Sequence, residues 1–211
     1  VDAPPENFQD FMTIEVGGPD PTGQNLLGYD NSFNGVPKDT GNLFLRDYLG
    51  GYNRQSQDAN YSPYGGIFIE SFIVFSPTLG RNSPETTVIF DSIMAPVMPE
   101  LGGRPVSATE WPEGERVDEI RGAISLIGRL AGHTASHEIG HSLGLVANGA
   151  PPRGLFGGEF NASFAGPYTT TFHLDTSAND IMAAALSFSG SLQIGTNAPA
   201  FSFLNMAYLR E

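Results

Sequence analysis

Residues 117–144 read VDEIRGAISLIGRLAGHTASHEIGHSLG, and the expected fold is organised around this stretch. Val117, Ile120, Ile124, Ile127 and Ala131 are spaced 3, 4, 3 and 4 apart, an apolar stripe that lines up only on a helix. The helix is expected to begin near Glu115, with Asp118 and Glu119 in its first turns, where the helix dipole favours acids. It either runs unbroken to the end of the stretch or breaks near Gly128 or Gly132. Gly144 is placed to end it sharply.

Outward from this helix the pattern changes. The first 64 residues are rich in loops, with one strand expected at 11–16 (FMTIEV) and a short helix at 42–49 (NLFLRDYL), closed by Gly50 and Gly51. Residues 66–75 (GIFIESFIVF) and 86–94 (TTVIFDSIM) are β-branched and aromatic, and both are expected as strands, joined by a hairpin or a longer loop. After Gly144 the chain turns Gly/Pro-rich and loses its periodicity until 201–209 (FSFLNMAYL), expected as a closing helix after Pro199. The sequence has no internal repeat.

Bulk properties exclude several classes of function. With 211 residues the chain can bury a full core as one domain. Its 26 Gly and 16 Pro point to many turns and irregular connections. Ten basic against 23 acidic residues give a net charge of −13, which repels phosphate backbones and argues against nucleic acid as a partner. No apolar run is long enough to span a membrane. The chain lacks cysteine, so disulfides, thiolate metal sites and cysteine nucleophiles are excluded, and any metal must sit on His, Asp, Glu or Tyr. A processed, mature form is expected, secreted or periplasmic.

The chemistry lies in HEIGHSLG, residues 137–144. Positions four apart on a helix stack about 6 Å along its axis, so His137 and His141 can aim two imidazoles at one point. Zinc–nitrogen bonds are about 2.0–2.1 Å long, within reach of such a pair. Glu138 follows the first His, where it can reach a water on the metal without being a ligand. Zinc lowers the pKa of such a water towards roughly 7, and the carboxylate can accept its proton as a peptide carbonyl is attacked. The resulting acid can then protonate the leaving amine. His133, one turn earlier, is read as structural or as lining the cleft. A helix rises roughly 12 Å from 133 to 141, too far for three imidazoles to share a metal.

HEIGHSLG resembles the front of the metzincin signature, HExxHxxGxxH followed by a methionine turn. The resemblance covers this helix and, loosely, the segment around Met182; nothing in the first hundred residues matches. It departs at the third ligand, which would fall at Ala147, and alanine cannot bind metal. His173, in TFHLDTSANDIM, is taken as the displaced third ligand ahead of Asp175 and Glu159. Asp175 is also a candidate to orient His173 by a hydrogen bond. By the resemblance, Met182 forms an apolar floor beneath the metal. Tyr168 and Tyr208 remain open as groups to stabilise an oxyanion. A second cation, Ca2+, has a weaker candidate in residues 30–35 (DNSFNG), for which a plain Asx-rich turn is the alternative.

The resemblance implies a zincin-like α/β (α+β) domain: a small mixed sheet, the active-site helix and an irregular C-terminal lobe. The upper lobe would cover about 1–146 and the lower about 147–211. The implied activity is that of a zinc-dependent endopeptidase acting on a peptide or protein. Two alternatives stand beside it: an inactive binding or adhesion module on the same fold, and a zinc amidase. Oligomeric state is not legible.

Overall fold

The computed structural model describes residues 14–29, 32–33, 36–37, 66–80, 86–142, 179–183, 185–193 and 195–208. Through them runs one long helix, spanning Val117–Ser142 without interruption at Gly128 or Gly132. We number the helices α1 (Val88–Met94), α2 (Val117–Ser142), α3 (Phe188–Ser191) and α4 (Phe203–Tyr208). At 26 residues α2 is about 39 Å long, enough for its two ends to serve different parts of the structure.

The start of α2 is fixed by charge. Asp118 and Glu119 occupy its first turn, and Arg121 pairs with Asp118 one turn on. Arg116, just ahead of the helix, donates to Glu119 at 3.3 Å, Glu110 at 3.0 Å and the Arg104 carbonyl at 3.1 Å, and also to the Pro96 carbonyl. One guanidinium thus ties the helix start to the turns before it. The buried stripe differs from the expected one. Ile120, Ala123, Leu126 and Leu130 face the core, whereas Ile124 is 52% exposed. The helix is rotated so that Ala123 and Leu126, not Ile124, meet the neighbouring elements. The sequence allowed either face because apolar residues flank the stripe on both sides.

Two expected strands are helical. In residues 66–75 only Gly66–Ile67 are extended, and Ile69–Phe75 form a 3-10 helix. Burial explains why: Phe68, Ser71, Phe72 and Phe75 are inside while Glu70 and Ile73 face out, a spacing of three and four rather than two. A continuous apolar run does not reveal its period until its neighbours choose which residues to cover. In residues 86–94 the second expected strand is α1, whose start is capped by Thr87 Oγ1 accepting from the Ile89 N–H at 3.2 Å. Phe90 and Met94, four apart, are buried, and Val88 is 74% exposed. Phe75, Phe90 and Phe188 form one aromatic cluster, with ring centroids 5.2 to 6.4 Å apart, that seats α1, α3 and the 3-10 helix together against α2.

Among the described residues the sheet content is small. β1 (Gly28–Tyr29) pairs antiparallel with β4 (Gly66–Ile67), and β2 (Ser32–Phe33) with β3 (Val36–Pro37). Val16 adds a parallel bridge to Ile67, so the expected strand at 11–16 is reduced, among the described residues, to isolated bridging at its end. Asp20 organises the loop before β1: its carboxylate accepts from the backbone N–H groups of Thr22, Gln24 and Leu26 and from the Thr22 hydroxyl. Burial works to raise its pKa, but these donors outweigh it and hold the group below its usual value. Helices with two small two-stranded sheets are compatible with an α+β class.

The closing helix expected over 201–209 is present as α4. The expected helix at 42–49 lies outside the described residues, as does most of the candidate calcium loop at 30–35. Among the described residues no helix is long and apolar enough to cross a membrane.

Candidate metal centre

The C-terminal third of α2 is gripped on two faces, which helix geometry sets roughly 100° apart. On one face Thr134 and Glu138 lie against β1. On the other, His133 and His137 meet the segments that follow residue 178. Position 141, one turn beyond His137, falls between these directions on the helix surface.

His137 is oriented by the backbone. Its Nδ1 lies 2.7 Å from the Ile181 carbonyl oxygen. A carbonyl only accepts, so Nδ1 must carry the proton, and the basic nitrogen of the neutral ring is Nε2. The carbonyl is held in place in turn: the Ile181 N–H donates to the Ala200 carbonyl at 2.9 Å, and Asp180 bridges Ala200 in parallel.

Met182 follows directly and is 0% exposed. It fills the space over Gly140, where a Cβ would lie 2.2 Å from the Met182 sulfur. A Cβ there would also lie 3.2 Å from Phe201 Cε1. The methionine thus packs directly beneath the HEIGH turn, and the glycine at 140 is what admits it.

Glu138 is 6% exposed, with its carboxylate directed at β1. A Cβ on Gly28 would lie 2.7 Å from its Oε1. His133 belongs to a different arrangement. Its Nδ1 is 2.7 Å from the Ser191 hydroxyl, which itself donates to the Ser187 carbonyl at 2.8 Å. The hydroxyl therefore accepts from His133, and burial lowers the imidazole pKa. Together with Arg129, which donates to the Leu192 carbonyl at 2.7 Å, His133 fastens α3 to α2. This matches the structural role read for it from the sequence.

The structure thus brings His137, Glu138 and Met182 to the same two turns of helix, with the backbone of His141 continuing it. The His141 side chain and all of Gly144, Glu159, Tyr168, His173 and Asp175 lie outside the described residues. Among the described residues no three His, Asp or Glu side chains gather around one point. A cavity of about 740 Å³ opens beside the 179–180 segment, lined by Asn179, Asp180, Gln193, Phe201 and Met206 among others.

Sequence reasoning missed Gly28, the Ile181 carbonyl and Phe201. A backbone carbonyl leaves no residue-type signal, and a strand glycine looks like any turn glycine. Gly140 looks in the sequence like Gly128 and Gly132 on the same helix, at which a Cβ would meet nothing within 4 Å, so its packing role was not legible either. No family model matches the chain, and no curated protein or solved structure was found to match it.

Proposed function

We propose that the chain is a zinc-dependent endopeptidase with a zincin-like fold, in which His137, His141 and His173 hold the metal and Glu138 is the general base. The observation that carries the reading is the hydrogen bond between His137 Nδ1 and the Ile181 carbonyl. Metal-bound histidines commonly donate their second ring nitrogen in this way, which fixes the tautomer and the ring plane. Met182 under Gly140 supports the same reading, since the carbonyl and the apolar floor come from adjacent residues.

Two imidazole nitrogens and a third from His173 suit zinc, and Asp175, two residues further along the sequence, would orient that third imidazole by a hydrogen bond. When bound, zinc supplies a Lewis acid that polarises the scissile carbonyl and acidifies water. The protein's own part is to place and move protons. Glu138 accepts a proton from the attacking water and returns it to the leaving amine, and its burial keeps bulk water from competing for that proton. His137 stays the Nδ1–H tautomer because the Ile181 carbonyl can only accept.

A secreted or periplasmic protein that cleaves peptides is the setting this chemistry fits, with no nucleic acid partner at a net charge of −13. Glu138→Ala should abolish peptide hydrolysis while the protein still binds zinc stoichiometrically, as measured by elemental analysis and a zinc-edge absorption spectrum. Retained hydrolysis in that variant would remove Glu138 from the mechanism. A wild-type chain that binds no zinc would leave the inactive binding module as the reading. Zinc binding with cleavage only of non-peptide amides would make the chain an amidase.

A further inference from the structure

β1 crosses the last turns of α2 at Gly28. A Cβ at that position would lie 2.6 Å from Thr134 Cγ2, 2.7 Å from Glu138 Oε1 and 2.9 Å from Glu138 Cγ. Unstrained non-bonded contacts between carbons begin at about 3.5 Å, so these two side chains occupy the volume that any residue larger than glycine would need. Backbone conformation is not the reason for glycine here, because Gly28 is absent from the left-handed residues of the chain. The strand is held at this height by its pairing, Gly28 with Ile67, and Ile67 is fully buried against the core. From below, Thr134 is fixed by its hydroxyl, which donates to the Leu130 carbonyl at 2.9 Å. Neither the strand nor the helix is placed to give way, so the Glu138 side chain is the group that must shift to admit a Cβ at 28.

We propose that Gly28 is a positioning residue for Glu138. The missing side chain sets how far the carboxylate can lie from His137 and the water it deprotonates. The inference rests on the peptidase reading for its effect on rate, though not for its effect on geometry. To accept a Cβ at 28, Oε1 must withdraw by roughly 0.7 Å to regain ordinary contact distance. Misplacement of a catalytic group by 1 Å can cost about 100-fold in rate, so Gly28→Ala is expected to lower kcat roughly 10- to 100-fold. KM and zinc content should stay near wild type, because the atoms nearest a Cβ at 28 belong to Thr134 and Glu138 and not to His137.

The test uses the full chain in two variants. Gly28→Ala carries both overlaps, and Gly28→Ala with Thr134→Ser removes the methyl overlap while keeping the Thr134-type hydrogen bond. If Gly28 positions Glu138, the double variant regains thermal stability but not kcat. A crystal structure of either variant should show the Glu138 carboxylate displaced relative to wild type, a readout that needs no activity. Recovery of kcat in the double variant, or an unmoved carboxylate, would overturn the proposal by assigning Gly28 to helix–strand packing. Failure of both variants to fold would assign it there too. A wild-type chain without peptidase activity would instead remove the peptidase reading, while the carboxylate position in the variant structures would still decide the role of Gly28.

Discussion

Three glycines on one helix should respond to the same substitution with opposite signs. In a helix interior, Gly→Ala ordinarily stabilises by roughly 0.5–1 kcal/mol, because alanine loses less conformational freedom on folding. At Gly128 and Gly132 a new Cβ would meet nothing within 4 Å, so each should show that gain. At Gly140 the Cβ would lie 2.2 Å from the Met182 sulfur and 3.2 Å from Met182 Cε and Phe201 Cε1. Overpacking of this kind costs about 1–3 kcal/mol. Methionine can re-pack along its flexible chain, but Met182 is fully buried and its neighbour Ile181 is pinned through both its N–H and its carbonyl. Against the helix-propensity gain, the net effect at 140 is a loss of about 1–2 kcal/mol. For a chain of this size that corresponds to a fall in Tm of roughly 2–8 °C, against a rise of roughly 1–4 °C at 128 or 132. Calorimetry and urea unfolding on the three variants would measure this directly. Met182→Ala, destabilising alone by about 2–5 kcal/mol, should cost less in the Gly140→Ala background because the overlap is relieved. A Gly140→Ala protein stabilised as much as Gly128→Ala would refute the packing of Met182 under the HEIGH turn.

Two pH dependences follow from the ionisable groups. Burial lowers the His133 pKa below its usual 6.5, so the folded state binds that proton less readily than the unfolded chain. Its contribution to stability is complete above 6.5 and declines as pH falls below it; the same titration of His133→Asn should lack that component. The second is Glu110, held at about 2 rather than 4.5, first by the Ser107 backbone N–H, against the opposing effect of burial, and then by the Ser107 hydroxyl, Arg116 and Arg104. Its contribution is present above 4.5 and is lost as pH falls through about 2. Unfolding followed from neutral to strongly acid pH should therefore show a shallower acid loss in Glu110→Gln than in wild type. An equal loss in both would mean that the Arg116–Glu110 pairing does not hold the start of α2.

Much of α2 was legible because its signals are local. Acids in the first turn, an apolar period near 3.6 and HEIGH at i, i+4 depend only on neighbours along the chain, and the helix forms where they place it. Its rotation was not legible, since Ile124 and Ala123 are both apolar and only the partners decide which is covered. The same limit turned two expected strands into helices. In 66–75 and 86–94 the β-branched and aromatic composition speaks for strand, but Phe72, Phe75 and Phe90 are drawn into one hydrophobic core that demands helical spacing.

The site divides along the same line. The sequence alone determined that positions 137 and 141 lie one above the other on a helix, with Glu138 about 100° round the axis from His137, because a regular helix carries sequence spacing directly into space. Tertiary structure alone decided what presses on these turns: a carbonyl from Ile181 behind His137, a methionine in the space left by Gly140, and a strand glycine against Glu138. These contacts join residues more than forty positions apart through backbone atoms and absent side chains, neither of which leaves a pattern in the order of amino acids.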